Sequence, residues 1–325
     1  MSAFARKVKN MSFSQTVKEE IVKNVKRTKR CCATSFLTAV LKSAGSLCMD
    51  VNGCCFSMET DNSSLVDLCV TLAQTHFDAE STVYKVQSNA DSDKNSRYLC
   101  KFDAKLGEIL HLTERDAEGA VHIAPLSLDL EKDCCKRAFM QGLFLACGSV
   151  TIPEGEGDVF AQSSHSNYHL ELRFTNADFA QFVSEKFSFL QFRQVQRKNS
   201  VVLYLKESGK IADFFVFTDA VNARFKVENV IIGRSFRNRA NRQRNCIDSN
   251  IDKSILAGAR QLAAIEKIRE KGRFETLPDQ LKEVALARES HHDANLQELA
   301  SVLGISKSGV NHRLTKLLEI AQDLQ

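Results

Sequence analysis

A stretch that is apolar for most of its length, at residues 134–150, has a near-copy at residues 32–47. The two align without a gap, so that Phe36 falls on Phe139 and a Gly-Ser pair follows in both. Small residues also repeat at i, i+4 and i+8, on one helix face: Ser35, Ala39 and Ser43, then Ala138, Gly142 and Ala146. Small side chains let two helix backbones approach closely. The pattern therefore predicts two helices packed across a pseudo-twofold axis, in preference to two unrelated buried helices.

After each of these helices, apolar and polar residues alternate over short segments, which is typical of strands. In the first repeat, residues 32–112, we predict strands at 47–51, 55–59, 81–87 and 97–102 and a closing helix at 104–112. Asn52-Gly53 is a strong signal for a two-residue hairpin turn. Another helix follows Asp61 or Asn62, because either residue can cap it. A polar turn at 89–95 separates the last two strands.

The second repeat, residues 134–218, shows the same order after a connector at 113–131. Its strands are predicted at 149–152, 168–174, 192–197 and 201–205, with a helix at 177–189. The polar stretch 153–167 is rich in glycine and serine, which predicts a mobile surface loop. The predicted fold class is therefore α+β, with tandem αββαββα repeats.

Helical segments flank these repeats. Residues 1–31 contain a basic amphipathic helix at 12–30, whose apolar stripe is expected to pack on the core. Residues 219–277 form a basic helical linker, including a long helix with Ile255, Leu256, Leu262, Ile265 and Ile268. Gly272 and Pro278 mark a helix end and the next start, which predicts a domain boundary at 272–277.

The remaining residues, 278–325, have the pattern of an all-α helix-turn-helix domain. Leu281, Val284, Ala285 and Leu286 mark one helix, and Leu296, Leu299, Ala300 and Leu303 a second. Gly304 makes the turn, and Ser306 caps a third helix with Val310, Leu314 and Leu317 on its buried side. A short helix, a glycine turn and a further helix are typical of DNA-binding helix-turn-helix units.

The outward face of the third helix carries the candidate DNA contacts. Amide, hydroxyl and amine groups there can read base edges in the major groove: Lys307, Ser308, Asn311, His312 and Thr315. Arg313 and Lys316 are placed for phosphates. Residues 224–244 hold seven basic side chains and one acid, Glu228, so pairing within the segment cannot neutralise it. We expect five arginines there to contact phosphate as well: Arg234, Arg237, Arg239, Arg242 and Arg244.

Composition adds little to this picture. A net charge of +4 permits an anionic partner without requiring one. The 11 cysteines include no C-x-x-C pair and no zinc-finger spacing, so we expect buried free thiols, no metal and no cofactor. Neither a signal core nor an apolar run of membrane-spanning length occurs, which predicts a soluble intracellular protein without membrane contact.

The repeats resemble the LAGLIDADG homing-endonuclease fold, with the motif itself at residues 140–148, MQGLFLACG. The resemblance implies that an acidic residue just before each terminal glycine would bind catalytic metal. Here those positions are Ala44 and Cys147, and the other acidic position of the motif holds Lys42 and Leu145. Metal-assisted cleavage of DNA requires carboxylates around Mg²⁺. We therefore predict a degenerate LAGLIDADG domain at residues 32–218 without catalytic residues, and a protein that is not an enzyme.

The whole chain resembles the WhiA family of bacterial DNA-binding regulators, which join a degenerate LAGLIDADG pair to a C-terminal helix-turn-helix. The most similar segments are SFSQTVKEEI, DCCKRAFMQGLFLACGSV, RNRANRQRNCIDSNIDK and ISKSGVNHRLTKL. The resemblance implies a cytoplasmic, nucleoid-associated transcription regulator of cell division or sporulation that binds promoter DNA. Its other partner would be another transcription factor or RNA polymerase. The 153–167 loop and several cysteines depart from the family pattern.

Three hypotheses place the DNA differently. In the first, the helix-turn-helix reads sequence while residues 224–244 hold phosphates. In the second, the LAGLIDADG saddle is also a main DNA surface. In the third, the saddle is a scaffold that docks a protein partner, while the C-terminal half anchors the chain to DNA. The alternation at residues 168–174 puts His169, Glu171 and Arg173 on the open face, and Ser57 and Glu59 face outward in the first repeat. This mixed charge favours the first or third hypothesis.

Overall fold

The computed structural model describes residues 11–50, 53–86, 97–125, 128–153 and 167–324. The chain forms two compact units, Met1–Arg234 and Ser235–Gln325. The predicted polar turn at 89–95 and almost all of the predicted 153–167 loop lie outside the described residues, as do Val51 and Asn52 of the first hairpin. Gly53, predicted as part of that turn, instead begins a strand and pairs with Asp50.

The first repeat follows the predicted order closely. Helix α1 spans Phe13–Asn24 and helix α2 spans Arg30–Ala44. Strands β1 (Gly45–Asp50) and β2 (Gly53–Thr60), helix α3 (Ser63–Phe77), strands β3 (Ser81–Val86) and β4 (Arg97–Phe102) and helix α4 (Ala104–Ile109) come next. Asn62 caps α3, since its side chain accepts a hydrogen bond from the Leu65 N–H.

The connector contains a feature that the pattern did not predict, a small hairpin of β5 (Thr113–Arg115) and β6 (Val121–Ile123). The second repeat consists of helix α5 (Asp133–Cys147), strands β7 (Gly148–Thr151) and β8 (His169–Phe174), helix α6 (Ala177–Lys186), strands β9 (Arg193–Arg197) and β10 (Ser200–Leu205) and helix α7 (Ser208–Phe217).

The two sheets share one topology, which confirms the tandem repeats. Their strand orders are β1-β2-β4-β3 and β7-β8-β10-β9, and all neighbours are antiparallel. Each sheet begins directly at the end of its motif helix, α2 or α5. One continuous hydrophobic core fills the unit, with fully buried phenylalanines from both repeats, among them Phe36, Phe102, Phe139 and Phe174.

Helices α2 and α5 meet through the stripe of small residues. A Cβ added at Gly142 would lie 2.7 Å from the Phe36 carbonyl oxygen and 3.1 Å from the Ala39 Cβ. The backbones therefore pass so closely that only hydrogen fits at this position. The close helix pair predicted from the repeat is confirmed.

The N-terminal helix differs from its prediction at 12–30. It begins at a capping box, in which the side chains of Ser12 and Gln15 each accept a hydrogen bond from the other residue's backbone N–H. It ends at Asn24, six residues before the predicted end. Residues Val17, Ile21 and Val25 are buried in the core of the first unit, as the apolar stripe predicts.

The second unit is entirely helical where it is described. Helix α8 spans Val221–Glu270, which is 50 residues, and passes through the division between the units. Helices α9 (Asp279–Ser290), α10 (Leu296–Leu303) and α11 (Lys307–Asp323) follow. In the described part of the chain, no helix is long and apolar enough to cross a membrane.

The boundary predicted at 272–277 falls inside this second unit. The reason is packing: Ala264, Ile265 and Ile268 of α8 belong to the same hydrophobic core as Val284, Leu299, Val310 and Leu314. Three residues predicted on apolar faces are more than one-third exposed, namely Ile255, Leu256 and Leu286.

Candidate DNA-binding site

The helix-turn-helix is built by two caps and one turn. Asn295 caps α10 through its side chain, which accepts hydrogen bonds from the backbone N–H groups of Gln297 and Glu298. Gly304 ends α10 with φ of 64°, in the left-handed region that glycine adopts without strain. Ser306 then caps α11, since its Oγ accepts a hydrogen bond from the Gly309 N–H at 3.1 Å. These local signals set the start and the end of both helices.

Packing orients α11. Val310, Leu314 and Leu317 are fully buried at i, i+4 and i+7, so the opposite face points to solvent. All five residues predicted to read bases are exposed on that face: Lys307, Ser308, Asn311, His312 and Thr315. Among the described residues, none makes a hydrogen bond or ion pair with the side chains of Lys307, Asn311 or His312. Their polar groups are therefore available to a ligand.

Arg313, which was predicted to contact phosphate, instead lies against helix α9. Its Nη1 lies 3.5 Å from the Glu283 carboxylate of α9, and its side chain is only 21% exposed. This atom makes no aligned hydrogen bond. Arg313 therefore ties α11 to α9 within the bundle. Lys316 remains on the surface, 3.1 Å from Glu319, in an exposed pair that contributes at most about 1 kcal/mol.

The predicted phosphate-binding arginines of α8 fall into both units. Arg234, in the first unit, is half-buried, and its guanidinium lies 5.6 Å from the ring centroid of Tyr168. Arg239, Arg242 and Arg244 are exposed and Arg237 is half-exposed, all in the second unit. The one acid of the segment, Glu228, is paired with Arg224 at 2.9 Å. No described acidic side chain pairs with Arg237, Arg239 or Arg242.

The ends of α2 and α5 lack the groups that would bind catalytic metal. Cys147 is half-buried, and burial raises the pKa of its thiol to about 12, so it carries no charge near neutral pH. Its Sγ donates to the Leu143 carbonyl oxygen at 3.2 Å. Lys42 donates to the Ala124 carbonyl oxygen. Burial also lowers the pKa of Lys18, although the charge of Asp61 opposes this shift. A cation, a neutral thiol and Ala44 do not suit Mg²⁺.

The open face of the second sheet is more basic than the alternation along β8 indicated. Glu171 lies 3.1 Å from His169, 3.3 Å from Arg173 and 3.8 Å from Arg197. Burial acts to raise the pKa of Glu171, but hydrogen bonds from His169 and Arg173 outweigh it and the pKa is lowered. Arg197 lies on β9, which joins this sheet by pairing with β10. The pattern along the sequence does not show which strands are neighbours, so it did not predict that Arg197 lies beside Glu171. This sheet therefore does not argue against DNA on the saddle.

The cysteines depart most from the sequence expectation of buried free thiols. Cys48 and Cys55, directly opposite each other on β1 and β2, form a disulfide. Cys31 and Cys246 are exposed. The Sγ atoms of one group of four lie within 4.8 Å of one another: Cys31, Cys32, Cys134 and Cys135. The signal for this cluster was present in the repeat alignment, which places Cys31 on Cys134 and Cys32 on Cys135.

Comparison with protein families gives three matches that together cover most of the chain. The WhiA N-terminal LAGLIDADG-like domain matches residues 30–114, and the WhiA LAGLIDADG-like domain matches residues 136–237. The WhiA C-terminal HTH domain matches residues 240–321. The last match begins within α8 and includes α9, α10 and all but the last two residues of α11.

Individual relatives match over almost their whole length. A probable cell division protein WhiA of Syntrophomonas wolfei is 34% identical over 333 residues, which cover 97% of this chain and 99% of the relative. A probable cell division protein WhiA of Bacillus cytotoxicus is 34% identical over 321 residues, covering 97% and 98%. The crystal structure of full-length DUF199/WhiA from Thermatoga maritima shares the fold, with a TM-score of 0.53 and 22% identity, over 97% of this chain and 99% of that one.

Proposed function

The chain belongs to the WhiA family, and we propose that it is a sequence-specific DNA-binding regulator that acts on the transcription of genes for cell division or sporulation. The observation that carries the proposal is the solvent-exposed face of α11, with Lys307, Asn311 and His312 free of intramolecular partners among the described residues. Curated relatives named as probable cell division proteins support the biological setting. In the cell, the protein would then be found on the nucleoid.

The proposed mechanism assigns base reading to the first turns of α11. A recognition helix of this kind enters the major groove, where an amide can pair with adenine and an amine with guanine. Asn311 and Lys307 are the side chains suited to those two tasks, with Ser308, His312 and Thr315 beside them. Thr315 donates its hydroxyl hydrogen to the Asn311 carbonyl oxygen at 2.9 Å, so its oxygen is left as an acceptor.

Phosphate contacts would fix the register of the helix on the duplex. Lys316 can exchange its weak pair with Glu319 for a phosphate, whereas Arg313 is already held by Glu283. Arg313 is therefore not among the proposed phosphate contacts. The α8 arginines would add sequence-independent affinity, because each neutralised phosphate releases counterions.

Replacing Asn311 by alanine should relax sequence preference at one position of the bound site, at a cost of about 1–3 kcal/mol on the preferred sequence. The loss is specific because only the base that faces the amide loses its hydrogen bonds. Selection of bound sequences from a random duplex pool, followed by affinity measurements on the winners, would show this. Lys316→Ala is the matched variant, since it should weaken binding to all sequences alike. Equal weakening of all sequences by Asn311→Ala would make Asn311 a backbone contact.

We also propose that the protein does not cleave DNA. A phosphodiester cleavage site would require carboxylates at the ends of α2 and α5, where Ala44 and the neutral Cys147 thiol lie. Supercoiled plasmid incubated with the purified full chain and Mg²⁺ or Mn²⁺ should stay supercoiled. Cutting that rises with protein dose and persists through further purification would contradict the proposal.

A second candidate function is favoured by apolar side chains on the surface of the LAGLIDADG-like unit. Phe189 and Val216 are 55% and 47% exposed, and the ring of Phe189 packs on that of Phe217 at 5.1 Å. This patch suits a protein partner, such as another transcription factor or RNA polymerase, with the C-terminal half anchoring the assembly on DNA. In that case promoter occupancy would depend on the partner more than on α11.

A further inference from the structure

The four clustered thiols come from two chain segments that the fold brings together. Cys31 and Cys32 lie in the first turn of α2, and Cys134 and Cys135 in the first turn of α5. The Cys32 Sγ is 3.7 Å from the Cys134 carbonyl oxygen, so the contact crosses between the repeats. Cys32 and Cys135 are buried, Cys134 is half-buried and Cys31 is exposed. The cluster therefore lies at the edge of the core, where one side reaches solvent.

The spacing of these atoms fits a tetrahedral ion. Zinc bound by four thiolates has Zn–S distances of about 2.3 Å, which gives S–S separations of about 3.8 Å. All four Sγ atoms already lie within 4.8 Å of one another, and Cys134 and Cys135 are 4.0 Å apart. Closing around an ion requires shifts of no more than about 1 Å per sulfur, a distance that lies within the reach of rotation about each Cα–Cβ bond.

Positive groups lie at the end of each helix that carries the thiols. Both helices begin here, and neither has a side-chain cap, because the N-cap residues are Lys29 and Lys132. The thiols therefore lie at the positive ends of two helix dipoles. Four thiolates with one Zn²⁺ carry a net charge of −2, which these groups partly offset.

We propose that Cys31, Cys32, Cys134 and Cys135 form a structural Zn²⁺ site that fastens the two LAGLIDADG-like repeats together. Thiolate ligands select soft metals and disfavour Mg²⁺ or Ca²⁺. Four protein ligands leave no open position, which is the arrangement of structural zinc sites. The site is separate from the degenerate catalytic positions. Cys135 and Cys147 are 12 residues apart on α5, or about 18 Å along the helix axis.

The site would hold the start of the helix pair, while the close contact at Gly142 holds its middle. A bridge between the repeats restricts how the two sheets move relative to each other. It also joins residues that are 103 positions apart in sequence, so it closes a long loop of the unfolded chain.

Zinc analysis of the purified full chain tests the proposal directly. The chain is made without a metal-binding tag, kept under reductant and dialysed against metal-free buffer before elemental analysis. We expect about one zinc per chain, as for other four-cysteine sites. Chelator should remove it and lower the unfolding temperature. Replacing zinc by Co²⁺ should give the visible absorption bands of tetrahedral cobalt–thiolate coordination.

Two variants locate the ion. Cys31→Ser with Cys134→Ser removes one ligand from each repeat at the less buried positions and should bring zinc to background. Cys246→Ser, at an exposed thiol of α8, should keep the wild-type content. If the double variant does not fold, the cobalt-loaded Cys31→Ser single variant tests whether Cys31 is a ligand. Loss of one thiolate should weaken the sulfur-to-cobalt charge-transfer band relative to the wild-type protein.

Any of the following results would overturn the proposal. They are wild-type protein without zinc whose four thiols all react with alkylating reagent, disulfides between the two cysteine pairs under reductant, and full zinc content in the folded double variant. Iron or copper in place of zinc would also overturn it.

Discussion

Replacing Arg237, Arg239 and Arg242 together by glutamine should reduce the slope of log binding constant against log salt concentration by about 2.7, or about 0.9 for each phosphate that is no longer neutralised. These side chains have no acidic partner among the described residues. Their charge is therefore available to DNA rather than neutralised within the helix. Titration of a labelled duplex with the full chain at several salt concentrations gives the slope.

A matched triple variant separates this hypothesis from DNA binding on the saddle. Arg173, Arg193 and Arg197 belong to the second sheet, and each is within 4.0 Å of a glutamate. Their replacement by glutamine removes the same formal charge. We expect the slope to change less than in the α8 variant, because Glu171 and Glu207 offset part of the charge of these arginines. A slope that fell only in the sheet variant would move the main phosphate contacts to the saddle.

Replacing Gly142 by valine should destabilise the first unit by about 3 kcal/mol or more, the upper range for overpacking in a core. The added Cβ would lie 2.7 Å from a backbone oxygen of the opposite helix, and backbone cannot rotate away as a side chain can. Relief requires the helix pair to separate, which would open the core that both repeats share. We therefore expect a large loss of stability from this single substitution at the helix interface.

Tyrosine fluorescence is a suitable measurement because the chain has no tryptophan and all 4 tyrosines lie in the first unit. Denaturant unfolding followed by this signal reports on that unit alone. Gly209→Val is the control, since a Cβ at Gly209 meets nothing within 4 Å. We expect it to change the free energy of unfolding by less than about 0.5 kcal/mol. A Gly142→Val protein as stable as this control would show that the helices are not in close contact.

The sequence predicted those parts of the fold that depend on local periodicity. Alternation gave the strands, the spacing of small residues gave the helix pair, and Asn62, Gly304 and Ser306 gave caps and a turn where the structure has them. These residues act on their own neighbours in the chain. Their effect can therefore be recognised without knowing the tertiary structure.

Other features depended on contacts between distant elements. Arg313 precedes the buried Leu314 on α11, and only the placement of α9 shows that Glu283 is its partner. The basic residues 224–244 and the apolar positions from Ile255 onward were distinct patterns in the sequence, but both lie on one continuous helix, α8, which contains no proline. The cysteine cluster required the pseudo-twofold axis to bring Cys31 and Cys134 together. The aligned pairs were visible in the sequence, but their geometry was not.

The central claim is that α11 selects the DNA sites of this protein. Its most direct test is genome-wide footprinting in cells that carry either the intact chain or a variant with Lys307, Asn311 and Thr315 replaced by alanine. These three side chains are exposed, so the bundle should fold normally, which circular dichroism of the purified variant can verify. We expect site-specific occupancy to disappear at equal protein level. An unchanged set of occupied promoters would contradict the claim and would assign promoter choice to the saddle or to a protein partner.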